Sequence, residues 1–381
     1  MQKIVIAPDS FKGTMTSAEV CEITAKRVTE SFPNVEILSV PIADGGEGTA
    51  ECFLLAVGGE RVTATVKSPY FEDMEASFAV INGGKTAVIE SAVCVGLPLV
   101  LNRKNPAVTT TYGVGQLIKV ALERGVSEII IALGGSCTND GGCGCAAALG
   151  VEFFNEKEEV FIPVGGTLSQ ISSINMRNIE SKLADVDVII MCDVDNPLYG
   201  ENGAAYVYAP QKGADETMVA QLDQELQAFS TSVKQFVGTD ISSLKGAGAA
   251  GGMGGGLTAF LNGKLKSGIE TILDAINFNS IINGADLIIT GEGRIDSQTV
   301  NGKVVAGVAR RGKSAGIPVV AVVGNIGDGA EQTYDIGVTA IMSINRASLP
   351  FESVQERCRD DLAKTIDDLM KILKIDFNKR T

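Results

Sequence analysis

Apolar residues in this chain gather in short continuous runs rich in valine and isoleucine, separated by longer stretches with a three-to-four-residue hydrophobic repeat. Runs of the first kind lie at residues 3–7 (KIVIA), 35–41, 129–132, 186–192, 285–290, 319–323 and 339–344. Such β-branched runs suit strands of a parallel sheet buried on both faces. The stretches between them predict helices over residues 16–32, 49–57, 109–124, 216–237, 303–315 and 351–373. The first opens on Thr16, Ser17, Ala18 and Glu19, a capping box, and the third is closed by Gly125. Leu222, Leu226, Phe229, Val233 and Phe236 form a one-sided stripe, which reads as core packing. Residues 61–90 depart from this rhythm: apolar and polar positions alternate, with turn signals at Glu72-Asp73 and Asn82-Gly83-Gly84, which predicts hairpin strands.

Alternating strands and helices imply an α/β protein. The first two strands and the three last ones are expected to share one parallel sheet. The fold predicted is therefore two α/β domains. Residues 1–60 and 284–381 form a discontinuous Rossmann-like parallel-sheet domain, and residues 61–283 form an inserted second α/β domain. At 381 residues the chain is long enough for two.

Composition narrows the chemistry. The 44 glycines exceed the usual share of ~7% and cluster at the ends of apolar runs, as tight turns near bound groups do. A formal net charge of −14 disfavours nucleic acid and anionic lipid as partners, although local Lys and Arg can still hold a small anion. With no histidine, Ser-His-Asp and Cys-His catalysis and His-ligated zinc are excluded, so acid–base work falls to Asp, Glu, Lys, Cys or Tyr. The eight cysteines include no CxxC pair and read as small buried hydrophobes in a reducing compartment. The N-terminus runs straight into a strand without the features of a signal peptide, and no apolar run approaches ~18 residues, so a cytoplasmic protein without a membrane span is expected.

Candidate chemistry sits where the strands end, the edge at which open α/β sheets bind ligands. Asp9, Asp44, Asp193 and the pair Glu292/Asp296 each lie in a glycine-rich turn after a strand. A single such acid is commonly a helix cap. Four at one topological position suit Mg²⁺, which prefers oxygen ligands and phosphates, or a base for a substrate hydroxyl. The turn after residues 129–132 carries Gly134, Gly135, Ser136, Thr138, Asn139 and Asp140. Residues 246–256 (GAGAAGGMGGG) hold one GxGxxG match, Gly246, Gly248 and Gly251, with no clear strand before it, which argues against a dinucleotide site. That run is either a closely packed turn or a helix start that binds phosphate. Lys12 is a phosphate candidate, whereas Lys212 and Lys303 read first as solvated charges. Arg294 is either paired with Glu292 and Asp296 or forked onto a substrate carboxylate.

Seven segments are similar to one known family: PDSFKG (8–13), PIADGGEGT (41–49), ALGGSCTNDGG (132–142), CDVDNPL (192–198), APQKGA (209–214), GAGAAGG (246–252) and TGEGRIDSQTVNGK (290–303). In this order, over essentially the whole chain, they resemble the bacterial glycerate kinases of the type-1 family. The family more often carries Ala or Thr where Cys137 stands. The resemblance implies ATP-dependent phosphorylation of D-glycerate to 2-phospho-D-glycerate, with the active site in the cleft between two α/β domains.

Chemistry then assigns roles. Asp193 accepts the hydroxyl proton, helped by Asp44, and Lys12 neutralises the transferring phosphate. Arg294 binds the glycerate carboxylate, with Asp9, Ser10 and Asn196 as further substrate contacts. Gly134, Gly135, Ser136, Thr138, Asn139, Gly246, Gly248, Gly251 and Gly252 hold phosphates, and Glu292 or Asp296 holds Mg²⁺, directly or through water. ATP and Mg²⁺ are the expected cofactors and small molecules the only expected partners. A nicotinamide-dependent oxidoreductase and a non-catalytic binding protein are the competing classes.

Overall fold

A computed structural model describes residues 1–42, 48–347 and 351–375. Its strands, in chain order, begin with β1 (Lys3–Pro8) and β2 (Glu36–Ser39). Next come β3 (Glu60–Lys67), β4 (Asp73–Ile81), β5 (Thr86–Glu90) and β6 (Glu128–Ala132). Three short ones follow, β7 (Glu152–Phe154), β8 (Val160–Phe161) and β9 (Ser173–Asn175), and then β10 (Asp187–Met191) and β11 (Lys264–Lys266). The chain ends with β12 (Leu287–Ile295), β13 (Val319–Ile326) and β14 (Val338–Ser343). It divides into two compact units, Met1–Asp44 with Ile269–Thr381, and Gly45–Gly268.

The first unit holds a five-stranded sheet in the order β14-β13-β12-β1-β2, parallel throughout. Numbered within the unit this is the 2-1-3-4-5 doubly wound order, whose direction reverses between β1 and β12. Strand alternation sends Ile4, Ile6, Leu287, Ile289, Val320 and Val322 to one face, where they meet Val20, Val28, Leu362 and Ile366 of helices Ser17–Ser31 and Phe351–Leu373. Helix Val304–Ala315 packs on β12 and β13, with Gly312 set against the Val319 and Ile288 side chains. The predicted capping box is present, with Thr16 and Glu19 bonded reciprocally.

The second unit holds a six-stranded sheet, β11-β10-β6-β5-β4-β3. Its first four strands are parallel, and β4 and β3 add an antiparallel hairpin edge. Helix Tyr112–Glu123 covers this edge with Val114, Leu117, Ile118 and Ala121, all fully buried. A small antiparallel sheet, β8-β7-β9, seats Phe153 edge-on against Phe260, ring centroids 5.6 Å apart. None of the eight cysteines is in a disulfide, and six of them are buried. Among the described residues no helix is long and apolar enough to cross a membrane.

Three features differ from expectation. Residues 291–295, read as a turn, continue β12, because β13 runs on alongside and pairs with them at Arg294↔Asn325 and Ile295↔Ile326. Helix Thr49–Val57 belongs to the second unit rather than the first, since it packs on β4 and β5. Helices Gly268–Ala275 and Phe278–Ile282 lie on the far side of the boundary drawn at residue 283. Helix Val304–Ala315 receives them, with Gly307 closed in by Ile269 and Leu273.

The glycine run shows what its composition is for. Ala250, Gly251 and Gly252 turn left-handed before a regular helix begins, and a Cβ on Gly251 lies 2.0 Å from the Thr138 carbonyl oxygen. A Cβ on Gly256 lies 1.9 Å from the Gly141 carbonyl oxygen. The run is therefore glycine-rich so that two backbones can touch. Gly256→Ala is expected to destabilise the protein by about 2–3 kcal/mol through overpacking. Gly125→Ala, at φ +80° with nothing within 4 Å of its Cβ, carries only the left-handed strain of about 1–2 kcal/mol. Urea unfolding of the two variants checks the ranking.

Candidate functional site

In the first unit β1 ends at Pro8 against Gly291, and β12 runs on past it to Ile295, at the point where strand order reverses. The period of two along β12 puts Glu292 and Arg294 on one face, and β1 runs out through Asp9 and Ser10 beside them. Asp9, Ser10, Lys12, Glu292, Gly293, Arg294 and Lys303 line a pocket of about 320 Å³ there. Gly291 and Gly293 allow the close approach, since a Cβ on Gly291 lies 2.1 Å from the Val322 carbonyl oxygen, and one on Gly293 faces the Phe11–Lys12 backbone.

The charges in this pocket are partly matched. Glu292 is 3% exposed and accepts a hydrogen bond of 2.7 Å from the Thr299 hydroxyl. Burial pushes its carboxyl up to about 7, helped by Asp9 and Asp296 and opposed by Thr299 and Lys303. Asp296 pairs with Arg294 Nε at 3.1 Å, and Arg294 keeps 62% of its side chain exposed. Asp9 is buried, with Oδ1 accepting the Ser10 amide. The two alternatives for Arg294 are thus compatible: one guanidinium edge holds Asp296 while the group faces the pocket.

A Mg²⁺ bound directly by Glu292 and Asp296 together does not fit the pocket as it stands. Lys303 Nζ sits 4.0 Å from Glu292 Oε1 and 3.8 Å from Asp296 Oδ1, so an ammonium occupies the position a cation shared by the two would take. Among the described residues no group of three or more acidic or cysteine side chains converges as a metal site.

In the second unit β5, β6, β10 and β11 also present their carboxyl ends along one edge. Leu133, Gly134, Gly135 and Ser136 leave β6 and line a pocket of about 170 Å³ with Val194, Tyr208, Gln211, Lys212, Ala249 and Ala250. Thr138, Asn139 and Asp140 lie beneath it, fully buried. Asp140 accepts from the Thr111 amide at 2.7 Å, the Thr111 hydroxyl at 2.8 Å, and the Gly142 and Gly144 amides at 3.2 Å. Burial pushes its carboxyl up and these four donors pull it down. The network ties the turn to the start of helix Tyr112–Glu123. Thr138 Oγ1 and both amide atoms of Asn139 have no protein partner among the described residues.

The remaining candidates separate. Asp193 is exposed after β10, and its Oδ1 accepts from the Ser267 hydroxyl at 3.1 Å and the Gly268 amide at 2.8 Å. Asn196 is held inside its loop, donating to the Asn202 carbonyl at 2.8 Å and accepting from the Tyr208 hydroxyl at 2.6 Å, so both ends of its amide are committed. Gly248, Gly251 and Gly252 are buried against backbone or side chains, and Gly246 faces Cys192 and Val194. Their tightest neighbours belong to the protein, whereas Ala249 and Ala250 between them reach the pocket. Asp44 lies outside the described residues.

Two residues were missed. Lys212 is 2% exposed, not solvated, and donates to Ser136 Oγ at 3.1 Å and the Thr138 carbonyl at 2.7 Å. Burial lowers its ammonium to about 8, against the pull of Cys137 and Asp140. Its setting, Ala-Pro-Gln-Lys-Gly-Ala without another charge, was the available signal. Glu90, at the end of β5, accepts the amides of Gly48 at 3.2 Å and Ala50 at 2.7 Å and so caps helix Thr49–Val57. Cys143 and Cys145 are core residues whose thiols burial pushes up, which suits neither metal binding nor reactivity.

Residues 4–374 match the model of the glycerate kinase family. The chain is 43% identical to a glycerate kinase of Bacillus cereus over 378 residues, covering 99% of each. It is 43% identical to the glycerate 2-kinase of Escherichia coli over 343 residues, covering 90% of each. A crystal structure assigned as glycerate kinase 2 of Salmonella typhimurium LT2 superposes with a TM-score of 0.88 at 36% identity, over 98% of both chains. By full-length sequence and by fold, this chain belongs to the glycerate kinase family.

Proposed function

We propose that this glycerate kinase uses ATP and phosphorylates the 2-hydroxyl of D-glycerate, giving 2-phospho-D-glycerate and ADP. The hydroxyl oxygen forms the new bond to the γ-phosphorus, the bond from that phosphorus to the β,γ-bridging oxygen breaks, and the hydroxyl proton passes to a carboxylate. The observation that carries the assignment of groups is the pairing of acids and bases in the β1–β12 pocket. Arg294 and Lys12 there suit a small anionic substrate, while Asp9 and Ser10 suit its hydroxyls.

In this scheme Arg294 takes the carboxylate of glycerate and Lys12 offsets charge on the transferring phosphoryl group. The Gly134–Gly135–Ser136 turn carries nucleotide phosphates on its backbone. Asp193 accepts the proton. Ser267 and Gly268 hold one of its oxygens and so set the direction of the carboxylate, which supports that role. Asn196 serves as loop scaffold rather than as a substrate contact. Glu292 and Asp296 orient Arg294 and Lys303.

Release of ADP on mixing ATP, a magnesium salt and D-glycerate is the expected outcome, with ³¹P NMR locating the ester on C2. An ester on C3 overturns the regiochemistry, and absence of glycerate-dependent ADP overturns the phosphoryl donor. Asp193→Asn is expected to lower kcat by about 100-fold or more with an unchanged circular dichroism spectrum. Near-normal turnover removes Asp193 from the role.

Glu292 links stability to pH. Its folded carboxyl titrates near 7, against 4.5 when unfolded, so across that window the folded state holds a proton the unfolded chain has released. Stability from this group therefore falls as pH rises from 4.5 to 7. Glu292→Gln stays neutral and can still accept from Thr299. Its stability relative to wild type is expected to rise between pH 5 and pH 8, read from urea midpoints at the two values.

A further inference from the structure

We infer that Lys212 is the phosphate-binding cation of the β6-end pocket, contacting the polyphosphate of the nucleotide and not the carboxylate of glycerate. The inference rests on the kinase reading above and names a residue that reading does not use. An ammonium has three N–H donors. Lys212 gives two of them to Ser136 Oγ and the Thr138 carbonyl, both uncharged. The acid nearest in sequence to that turn, Asp140, directs its oxygens to Thr111, Gly142 and Gly144 instead. A cation that is 2% exposed and has only neutral hydrogen-bond partners carries a desolvation penalty that a bound anion offsets.

The surroundings favour phosphate. Gly135 adopts φ +63° with nothing within 4 Å of its Cβ position, so the backbone beside Lys212 is open to close approach. Ser136, which holds the ammonium, lines the same pocket. Lysine binds phosphate as a point charge, and no arginine is among the described residues that line this pocket. The left-handed turn at Ala250 brings further backbone to the lining of the same pocket.

The test compares Lys212→Met and Lys212→Arg with wild type. Wild-type turnover with ATP is measured first, and its absence refutes the kinase reading rather than the role of Lys212. With turnover present, Lys212→Met is expected to raise the KM for ATP by about 10-fold or more and lower kcat by about 100-fold. The KM for glycerate stays within about 2-fold, and Lys212→Arg recovers part of the ATP affinity because the charge is kept. A rise confined to the KM for glycerate, unchanged kinetics, or equal loss in both variants overturns the inference. A measurement on wild-type protein guards against variants that do not fold. With ¹⁵N at lysine Nζ, the slowly exchanging resonance of the buried ammonium is expected to shift with ATP alone and not with glycerate alone. The reverse pattern, or no shift at saturating ATP, overturns it.

Discussion

Parallel pairing of β1 with β12 is the contact on which the architecture depends. Ile4 meets Leu287 and the register runs to Pro8 against Gly291, so residues some 280 positions apart share one ladder. Parallel neighbours cannot be joined by a tight turn, and here the connection contains β2 and an entire second unit. The same pairing places Asp9 and Ser10 next to Glu292 and Arg294, because parallel strands end on one edge. The gap between strand and site is thus closed by a hydrogen-bond register rather than by any local motif.

The two units meet the demand for a charged pocket in different ways. In the first, acids and bases are interleaved: Lys303 lies between Glu292 and Asp296, and Arg294 holds Asp296 from outside. Each charge limits the freedom of the next, and Glu292 alone is forced toward neutrality by burial. In the second unit, acid and base share no hydrogen bond, although Asp140 still pulls the Lys212 ammonium upward. Asp140 is satisfied by one hydroxyl and three amides, which leaves Lys212 bonded only to neutral oxygens. That separation keeps a positive charge available at the pocket wall, at the expense of its desolvation.

Glycine serves these pockets by two separate mechanisms. Gly135 is open on its Cβ side and exposes backbone, while Gly251 and Gly256 are sealed against the Thr138 and Gly141 carbonyls. Both kinds occur in runs that look alike in sequence. The GAGAAGG segment resembles a phosphate loop, yet its glycines mainly let a helix lie against the β6 turn, and the alanines between them reach the pocket.

Hydrophobic periodicity and local turn chemistry determined the α/β class, most strands, six of the helices, the capping box at Thr16 and the membership of the five-stranded sheet. These follow from short-range rules, in which side-chain period and turn chemistry are written locally. The acids and glycines at strand ends were legible for the same reason, since a strand's carboxyl end is known once the strand is. Only the tertiary structure decided that residues 291–295 remain strand, because that requires β13 to run on alongside. It alone showed that Lys212 is buried and that the amide of Asn196 is committed. It likewise put an ammonium between the two carboxylates expected to hold a metal. Burial and pairing depend on residues far away in the chain, so no local pattern around a lysine or an asparagine contains them.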